Sequence, residues 1–472
     1  MSTIFRKTPL SRRAFLGQAS CAAVSATPIL STLLNLRMAG NAVAATPAPD
    51  DYKALVCFFF AGGNDSFNTL IPRGATEYAE YATTRNNLAI PQADLLQING
   101  SQGGKQFGLN PAMPELQAVY NADPSNLAFI CNVGTLIEPT TITGFNNGTN
   151  QRPLALFSHI DAATHWQTSV PDQRGALGWG GRVADLLSSH NMGANVSMNI
   201  SLSGSNTFQS GANTVSYEID SSGNGSILLD PYTNGNDPTI RALSSAAINS
   251  LMDVEYTNLF QKAFAEKNRS SIDASAEFND AISQQTIDTP FTANGISQSF
   301  QMVAKTIAAR ELLNMKRQIF FIRFGGFDHH DELIESQAGL LTIVSKAMSE
   351  FNSAMTELDL SDKVTTFTAS DFARTLTSNG KGTDHAWGSN QMVMGGAVRG
   401  GQFFGTYPNL DLGNNLDVGR GRLIPTMSTD EYYAELALWF GVPKTDLDLI
   451  FPNLYRFYST SSIAPPVGFM TI

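Results

Sequence analysis

Lys53-Ala-Leu-Val-Cys-Phe-Phe-Phe60 is a continuous apolar run of strand length that stops at Ala61-Gly-Gly-Asn-Asp-Ser66. A strand buried on both faces reads this way, because neither face needs polar residues and the glycines mark the turn that ends it. The pattern recurs. Leu127-Ala-Phe-Ile-Cys131 ends in Asn132-Val-Gly134, Gln318-Ile-Phe-Phe-Ile-Arg-Phe324 ends in Gly325-Gly-Phe-Asp-His-His330, and Val364-Thr-Thr-Phe-Thr368 ends in Ala369-Ser-Asp371-Phe372. Apolar residues three and four apart predict helices over 299–316, 333–358 and 430–441. Strands alternating with amphipathic helices predict an α/β fold with a mostly parallel central sheet flanked by helices. Two stretches depart from this pattern. Residues 139–152 read as a loop, and 201–240, rich in Ser, Gly and Asn, as an insertion carrying a β-hairpin cap.

The first 45 residues have a separate character. Arg6 and Lys7 open a basic region, and Ser11-Arg12-Arg13-Ala14-Phe15-Leu16 has the pattern of a twin-arginine signal. A mildly apolar stretch follows, with Ala42-Val43-Ala44 as a small-residue cleavage site. Gln18, Ser20, Ser25, Pro28, Asn35 and Arg37 interrupt that stretch well short of the roughly 18 apolar residues a membrane span needs. The expectation is a Tat signal over 1–45, the Tat translocase as partner during export, and a periplasmic or secreted protein. The chain from 46 to 472 then makes a single α/β domain with no stable membrane span. Five of the 30 basic residues lie in the signal, which leaves 25 against 41 acidic ones and a net charge near −16. That balance argues against a nucleic-acid partner, since phosphate backbones need concentrated positive charge. Beyond the signal only Cys57 and Cys131 remain, as a disulfide or as two buried thiols, too few for a zinc site built on three or four thiolates.

The chemistry gathers at the predicted strand ends. In open α/β sheets ligands bind at the carboxyl ends of parallel strands, and here those ends carry Asn64-Asp65-Ser66, Asp328-His329-His330 and Ser370-Asp371. A later loop adds Thr383-Asp384-His385-Ala386-Trp387. A single Asp after a strand is ordinarily a helix cap, but carboxylates and imidazoles converging on one edge suit zinc, manganese or iron. His329 and His330 cannot both face one centre in an extended segment, so His330 is the expected ligand. Ser158, in Phe157-Ser158-His159-Ile160-Asp161, is either a nucleophile at a helix start or an N-cap. A serine-hydrolase triad lacks the G-x-S-x-G elbow it needs.

In this order, Phe58-Phe-Phe-Ala-Gly-Gly-Asn-Asp-Ser66, Ser158-His159, Gly326-Phe-Asp-His-His330, Ser370-Asp-Phe-Ala-Arg-Thr375 and Asp384-His-Ala-Trp387 resemble the Tat-exported family of domain of unknown function 1501. That family is similar in turn to the alkaline phosphatase and sulfatase superfamily. The resemblance implies an alkaline-phosphatase-like fold, metal ligands at Asp65, Asp328, His330, Asp371 and His385, and Ser158 near the nucleophile position. It also implies an anionic ester, phosphate or sulfate, as substrate. Two departures stand out: Asp328 and His330 are two apart where alkaline phosphatases place such a pair four apart, and Asp371 is followed by Phe372 where they place His. Arg374 is read either as a fixed cation for the anionic group or as a salt-bridge residue. The rival function is an exported binding or assembly protein that keeps the hydrolase fold without catalysis.

Overall fold

A computed structural model describes residues 52–223, 225–226 and 238–472. The expected export signal and the expected leader at 46–51 lie outside the described residues, as does part of the expected insertion. The strands are β1 (Lys53–Phe60), β2 (Leu70–Pro72), β3 (Leu96–Gln97), β4 (Phe107–Leu109), β5 (Leu127–Gly134), β6 (Asn199–Ser201), β7 (Tyr217–Glu218), β8 (Arg317–Phe324), β9 (Val364–Ser370), β10 (Ser389–Met394), β11 (Phe403–Gly405) and β12 (Met427–Ser428). The helices are α1 (Ala75–Arg85), α2 (Pro114–Asn121), α3 (Ile142–Asn147), α4 (His159–Thr168), α5 (Trp179–Leu186), α6 (Pro238–Met252), α7 (Leu259–Ser283), α8 (Gly295–Ala308), α9 (Leu333–Glu357), α10 (Thr429–Phe440) and α11 (Leu447–Ile450).

The central sheet runs β11-β5-β10-β9-β1-β8-β6-β7, with β12 also pairing β5. Every pairing is parallel except those of β10, which runs against both β5 and β9. This is the α/β architecture the apolar runs predict. Strand alternation explains why β1 needs no polar residue beyond Lys53. Ala54, Val56, Phe58 and Phe60 join one core, with Tyr120 of α2, Phe300 of α8 and Phe351 of α9. Leu55, Cys57 and Phe59 join the other, with Trp166 of α4, Trp179 of α5 and Phe440 of α10. Burying each such side chain contributes about 1.5–3 kcal/mol, so Phe58→Ala is expected to cost ~3–5 kcal/mol.

The same alternation decides the cysteines. Both are free and buried, and they belong to the two cores on opposite faces of the sheet. Burial pushes both thiols up.

Two local expectations need correction. The 139–152 segment contains α3, whose first turn is held by Thr141 Oγ1 accepting from Gly144 N. Within 201–240 the described residues add β7 to the edge of the main sheet parallel to β6, and Ile219 makes an antiparallel bridge to Ser226. The helix expected over 299–316 starts earlier, where Asn294 caps the Ile296 and Ser297 amides, and ends at Ala308 before a turn into β8. Among the described residues no helix is long and apolar enough to cross a membrane.

Candidate metal centre

Phe60 of β1 is in register with both Phe324 of β8 and Ser370 of β9, so three parallel strands end side by side. The loops that follow carry Asp65, Asp328–His330 and Asp371–Arg374 to one edge. Because β10 returns antiparallel to β9, the 371–388 connection stays at that edge and adds Asp384 and His385. Helix α4 begins there with His159.

Two glycines let these loops pass each other. Gly62 sits at φ +117°, and a Cβ on it would lie 2.5 Å from Asp328 N. Gly63, at φ +85°, has the Phe372 ring where its Cβ would be. Only glycine accepts both this backbone region and this contact. The Phe372 ring then packs on His159 and His385, with centroids 4.7 and 4.4 Å away. The residue that departs from the alkaline phosphatase pattern is thus a wall against which two imidazoles rest.

Three imidazoles converge on one carboxylate. His159 Nε2 is 3.4 Å from Asp328 Oδ2, while His330 Nε2 and His385 Nε2 lie 3.0 and 3.5 Å from Asp328 Oδ1. His330 Nε2 and His385 Nε2 are 3.1 Å apart. Each ring is tethered at its other nitrogen. His159 Nδ1 meets Asp371 Oδ2 at 2.8 Å, His330 Nδ1 meets Asp384 Oδ1 at 3.2 Å, and His385 Nδ1 donates to the Phe157 carbonyl at 2.8 Å. Phe157 holds that carbonyl in place at φ +78°, a left-handed conformation that costs a bulky residue about 1–3 kcal/mol. With the Nδ1 positions occupied, the Nε2 lone pairs are the ones left to face the centre. A histidine that binds metal is characteristically tethered this way.

Electrostatics set the protonation states. Partial burial pushes the Asp328 carboxyl up, but the Arg374 hydrogen bond and charge, with His159 and His330, bring it net below the ordinary carboxylate value. Burial lowers His385 below the ordinary imidazole value, even though its bond to the Phe157 carbonyl and the charge of Asp328 raise it, and this favours the neutral ring that keeps a lone pair. Burial raises Asp371 despite its bonds to His159 and to Gly62 N. Asp371 Oδ1 is buried and has no partner among the described residues.

These distances correct several sequence expectations. Asp65 does not join the centre. It is fully buried, its Oδ2 is bound to Arg85 at 2.5 Å, and Arg85 also donates to the Thr375 carbonyl. The pair ties the loop after β1 to the loop after β9. Asp371 sits behind His159 rather than facing Asp328. Arg374 is fully buried and donates to Asp328 Oδ1 at 2.7 Å, to the Thr383 carbonyl at 2.7 Å and to the Gly62 carbonyl at 3.4 Å. It positions the loops and does not reach out toward a substrate. Ser158 Oγ donates to Asp161 Oδ2 at 2.9 Å and makes no cap bond, and no imidazole is bonded to it, so nothing activates it as a nucleophile. His329, next to the ligand position, is buried, and its Nδ1 has no partner among the described residues. The candidate ligand that sequence reasoning missed is His159. It lay inside a segment already singled out, but its serine neighbour was taken as the reactive group.

The donor set fits a divalent ion. Ligand atoms of His159, Asp328 and His385 all lie within 4.8 Å of one another. Ligands about 2.1 Å from a common ion stand roughly 3–3.5 Å apart, as the imidazole–carboxylate distances do here. Nitrogen and oxygen donors suit zinc, manganese or iron.

Residues 52–421 match the family described as "Protein of unknown function (DUF1501)". The chain belongs to this family. No curated protein matches it in sequence. Among solved structures, Ps i-CgsB in complex with k-i-k-neocarrahexaose is 10% identical, covers 86% of this chain and 77% of its own, and superposes with a TM-score of 0.34. The soluble domain of lipooligosaccharide phosphoethanolamine transferase A from Neisseria meningitidis is 9% identical, covers 86% and 95%, and gives 0.33. Likeness at this level carries no argument about the chemistry of this chain.

Proposed function

We propose that this family member is an exported, metal-dependent hydrolase of phosphate or sulfate esters. The observation that supports this most directly is the set of three imidazoles, each tethered at Nδ1 and turned by Nε2 onto Asp328. A divalent ion held by His159, Asp328, His330 and His385 would draw an anionic ester oxygen and lower the pKa of an attacking water. The residues do the rest. Arg374 balances the charge of Asp328, so the protein groups that touch the ion are close to neutral and an anionic substrate is attracted to it. Arg420, half exposed and paired with Asp384 at 2.6 Å, and Arg323, whose charge reaches Asp371, are cations around the site. With Ser158 held by Asp161, water is the nucleophile this reading assigns. The Ser11-Arg12-Arg13-Ala14-Phe15-Leu16 motif supports export through the Tat translocase.

Elemental analysis of the purified chain, paired with phosphomonoester, phosphodiester and sulfate-ester substrates, tests the reading. We expect one equivalent of zinc, manganese or iron per chain, and loss of both ion and turnover in His159→Ala and His385→Ala. A chain that turns over an ester with no bound ion would defeat the proposal. So would retention of the ion in the double variant His159→Ala/His385→Ala. A stable chain with neither ion nor turnover would favour the non-catalytic binding or assembly role.

A further inference from the structure

Helices α6 and α7 form a hairpin whose outer part is barely attached to the body. No residue of the 15-residue α6 is buried. In the 25-residue α7 the buried run that reaches the main core starts at Ala274, and Ala265 is the single earlier buried residue. Yet this exposed part is apolar. Ile240, Leu243 and Leu251 recur at helical spacing along α6 and are all exposed. At the start of α7, Leu259, Phe260 and Phe264 are 80%, 89% and 73% exposed. A groove of about 310 Å³ between the helices is lined by Ile248, Leu251, Met252, Tyr256 and Phe264, so the two apolar stripes are continuous.

A contiguous apolar patch beyond a few hundred Å² marks an interaction site. Ile240, Leu243, Leu251, Val254, Leu259, Phe260 and Phe264 together offer roughly 800 Å², taking about 150–200 Å² for each fully exposed large side chain. That is about what one partner contributes to a standard interface, ~800 Å². Charge selects the partner. The outer part of the hairpin, residues 238–272, is nearly neutral, with Arg241, Lys262, Lys267 and Arg269 against Asp253, Glu255 and Glu266, on a chain whose net charge is −11. Arg269 is further paired with Asp253 at 2.8 Å. A helix that lies on anionic lipid carries a basic polar face, which this one lacks. Two copies of an acidic protein repel least where each is neutral, and two helical hairpins meeting about a twofold axis complete a four-helix arrangement.

We propose that the α6–α7 hairpins of two copies pack against each other and make the protein a homodimer, independently of any activity at the metal centre. Sedimentation or light scattering of the full chain across a dilution series centred on ~1 µM should show twice the mass of one chain. Phe260→Glu combined with Phe264→Glu should give a folded monomer, with the dimer weakened at least ~100-fold. Both positions are exposed, so an unchanged circular dichroism spectrum will separate lost association from lost folding. A wild-type chain that is monomeric throughout would overturn the proposal, as would a double variant that dimerises as tightly as wild type. Co-flotation of the wild type with phosphatidylcholine/phosphatidylglycerol vesicles, abolished in the variant, would assign the surface to a membrane instead and also overturn it.

Discussion

Gly62→Ala is the substitution that most directly tests how the centre is assembled. A methyl group at Gly62 would lie 2.5 Å from Asp328 N and 2.9 Å from Phe327 C, both backbone atoms. Ordinary van der Waals contact begins near 3.4 Å, so the loop after β8 must retreat by about 0.9 Å, beyond the ~0.5 Å within which such constellations must be held. The position also sits at φ +117°, outside even the left-handed α region, which costs a residue with a Cβ about 1–3 kcal/mol. Gly148→Ala is the matched control. It has φ +70° at the end of α3 with nothing within 4 Å of its Cβ, so it carries the backbone penalty without the clash. Metal titration against a chelating dye and thermal melting should separate the two. Gly148→Ala should lower stability by ~1 kcal/mol and leave metal affinity unchanged. Gly62→Ala should lose at least ~10-fold in metal affinity, because Asp328 moves relative to three imidazoles on other elements. If Gly62→Ala binds metal as well as Gly148→Ala does, the idea that this contact fixes Asp328 is wrong.

Other consequences follow from the same geometry. Asp371→Asn keeps the shape beside His159 but removes the charge that orients the ring, so metal affinity should fall about 10–100-fold with little loss of fold; isothermal titration with circular dichroism reads both. Chelation should lower the melting temperature of the wild type and leave that of His159→Ala/His385→Ala unmoved, since an ion that binds the native state stabilises it by mass action. Burial pushes the Asp430 carboxyl up to about 8 from an ordinary value of 3.8, so the native state holds a proton that the unfolded chain gives up earlier. The resulting stability is fully present below the unfolded value and is lost as pH rises through the folded one. Denaturant midpoints should therefore decline from acid toward pH 8 in the wild type, and the decline should be shallower in Asp430→Asn. Cys57 and Cys131 should resist thiol reagents until the chain unfolds.

The parts of the fold legible in the sequence were those where one residue type satisfies both faces of an element. β1, β5, β8 and β9 read as strands because Phe, Val, Ile and Leu serve whichever core they meet, and α9 and α10 because their apolar spacing matches the turn of a helix. The hairpin at α6–α7 escaped detection because its apolar positions follow a stretch of Ser, Gly and Asn that has the composition of a loop. That Asp328, His330 and His385 gather at one edge was legible because each follows a strand or a Gly-rich turn. Asp65 misled for the same reason. Its partner Arg85 lies twenty residues away on α1, and periodicity does not show which of two adjacent loops a carboxylate faces. His159 was missed because it reaches the centre from the first residue of a helix in a different part of the chain, an encounter that only the tertiary fold creates.

The supports also decide how many ions the centre can take. A two-ion site clamps both the attacking and the leaving oxygen and needs bridging or paired carboxylates to hold two ions about 3.5–4 Å apart. Here two of the four carboxylates at the edge are withdrawn from that role: Asp65 by Arg85, and Asp384 by Arg420 and His330. Asp371 spends one oxygen on His159 and Gly62 N, and its other oxygen is buried behind the ring. Asp328 alone faces the open side among the imidazoles, and Arg374 already holds its Oδ1. A second divalent ion would have to displace a guanidinium from a fully buried bed of carbonyl acceptors, leaving that cation unpaired and desolvated. On the proposed reading the centre therefore takes one ion, and Arg420 is the rim cation left to stabilise the leaving group. On that reasoning Arg420→Ala should lower kcat more than it weakens metal binding, whereas Arg374→Ala should weaken both together. A titration that saturates at two ions per chain would contradict it.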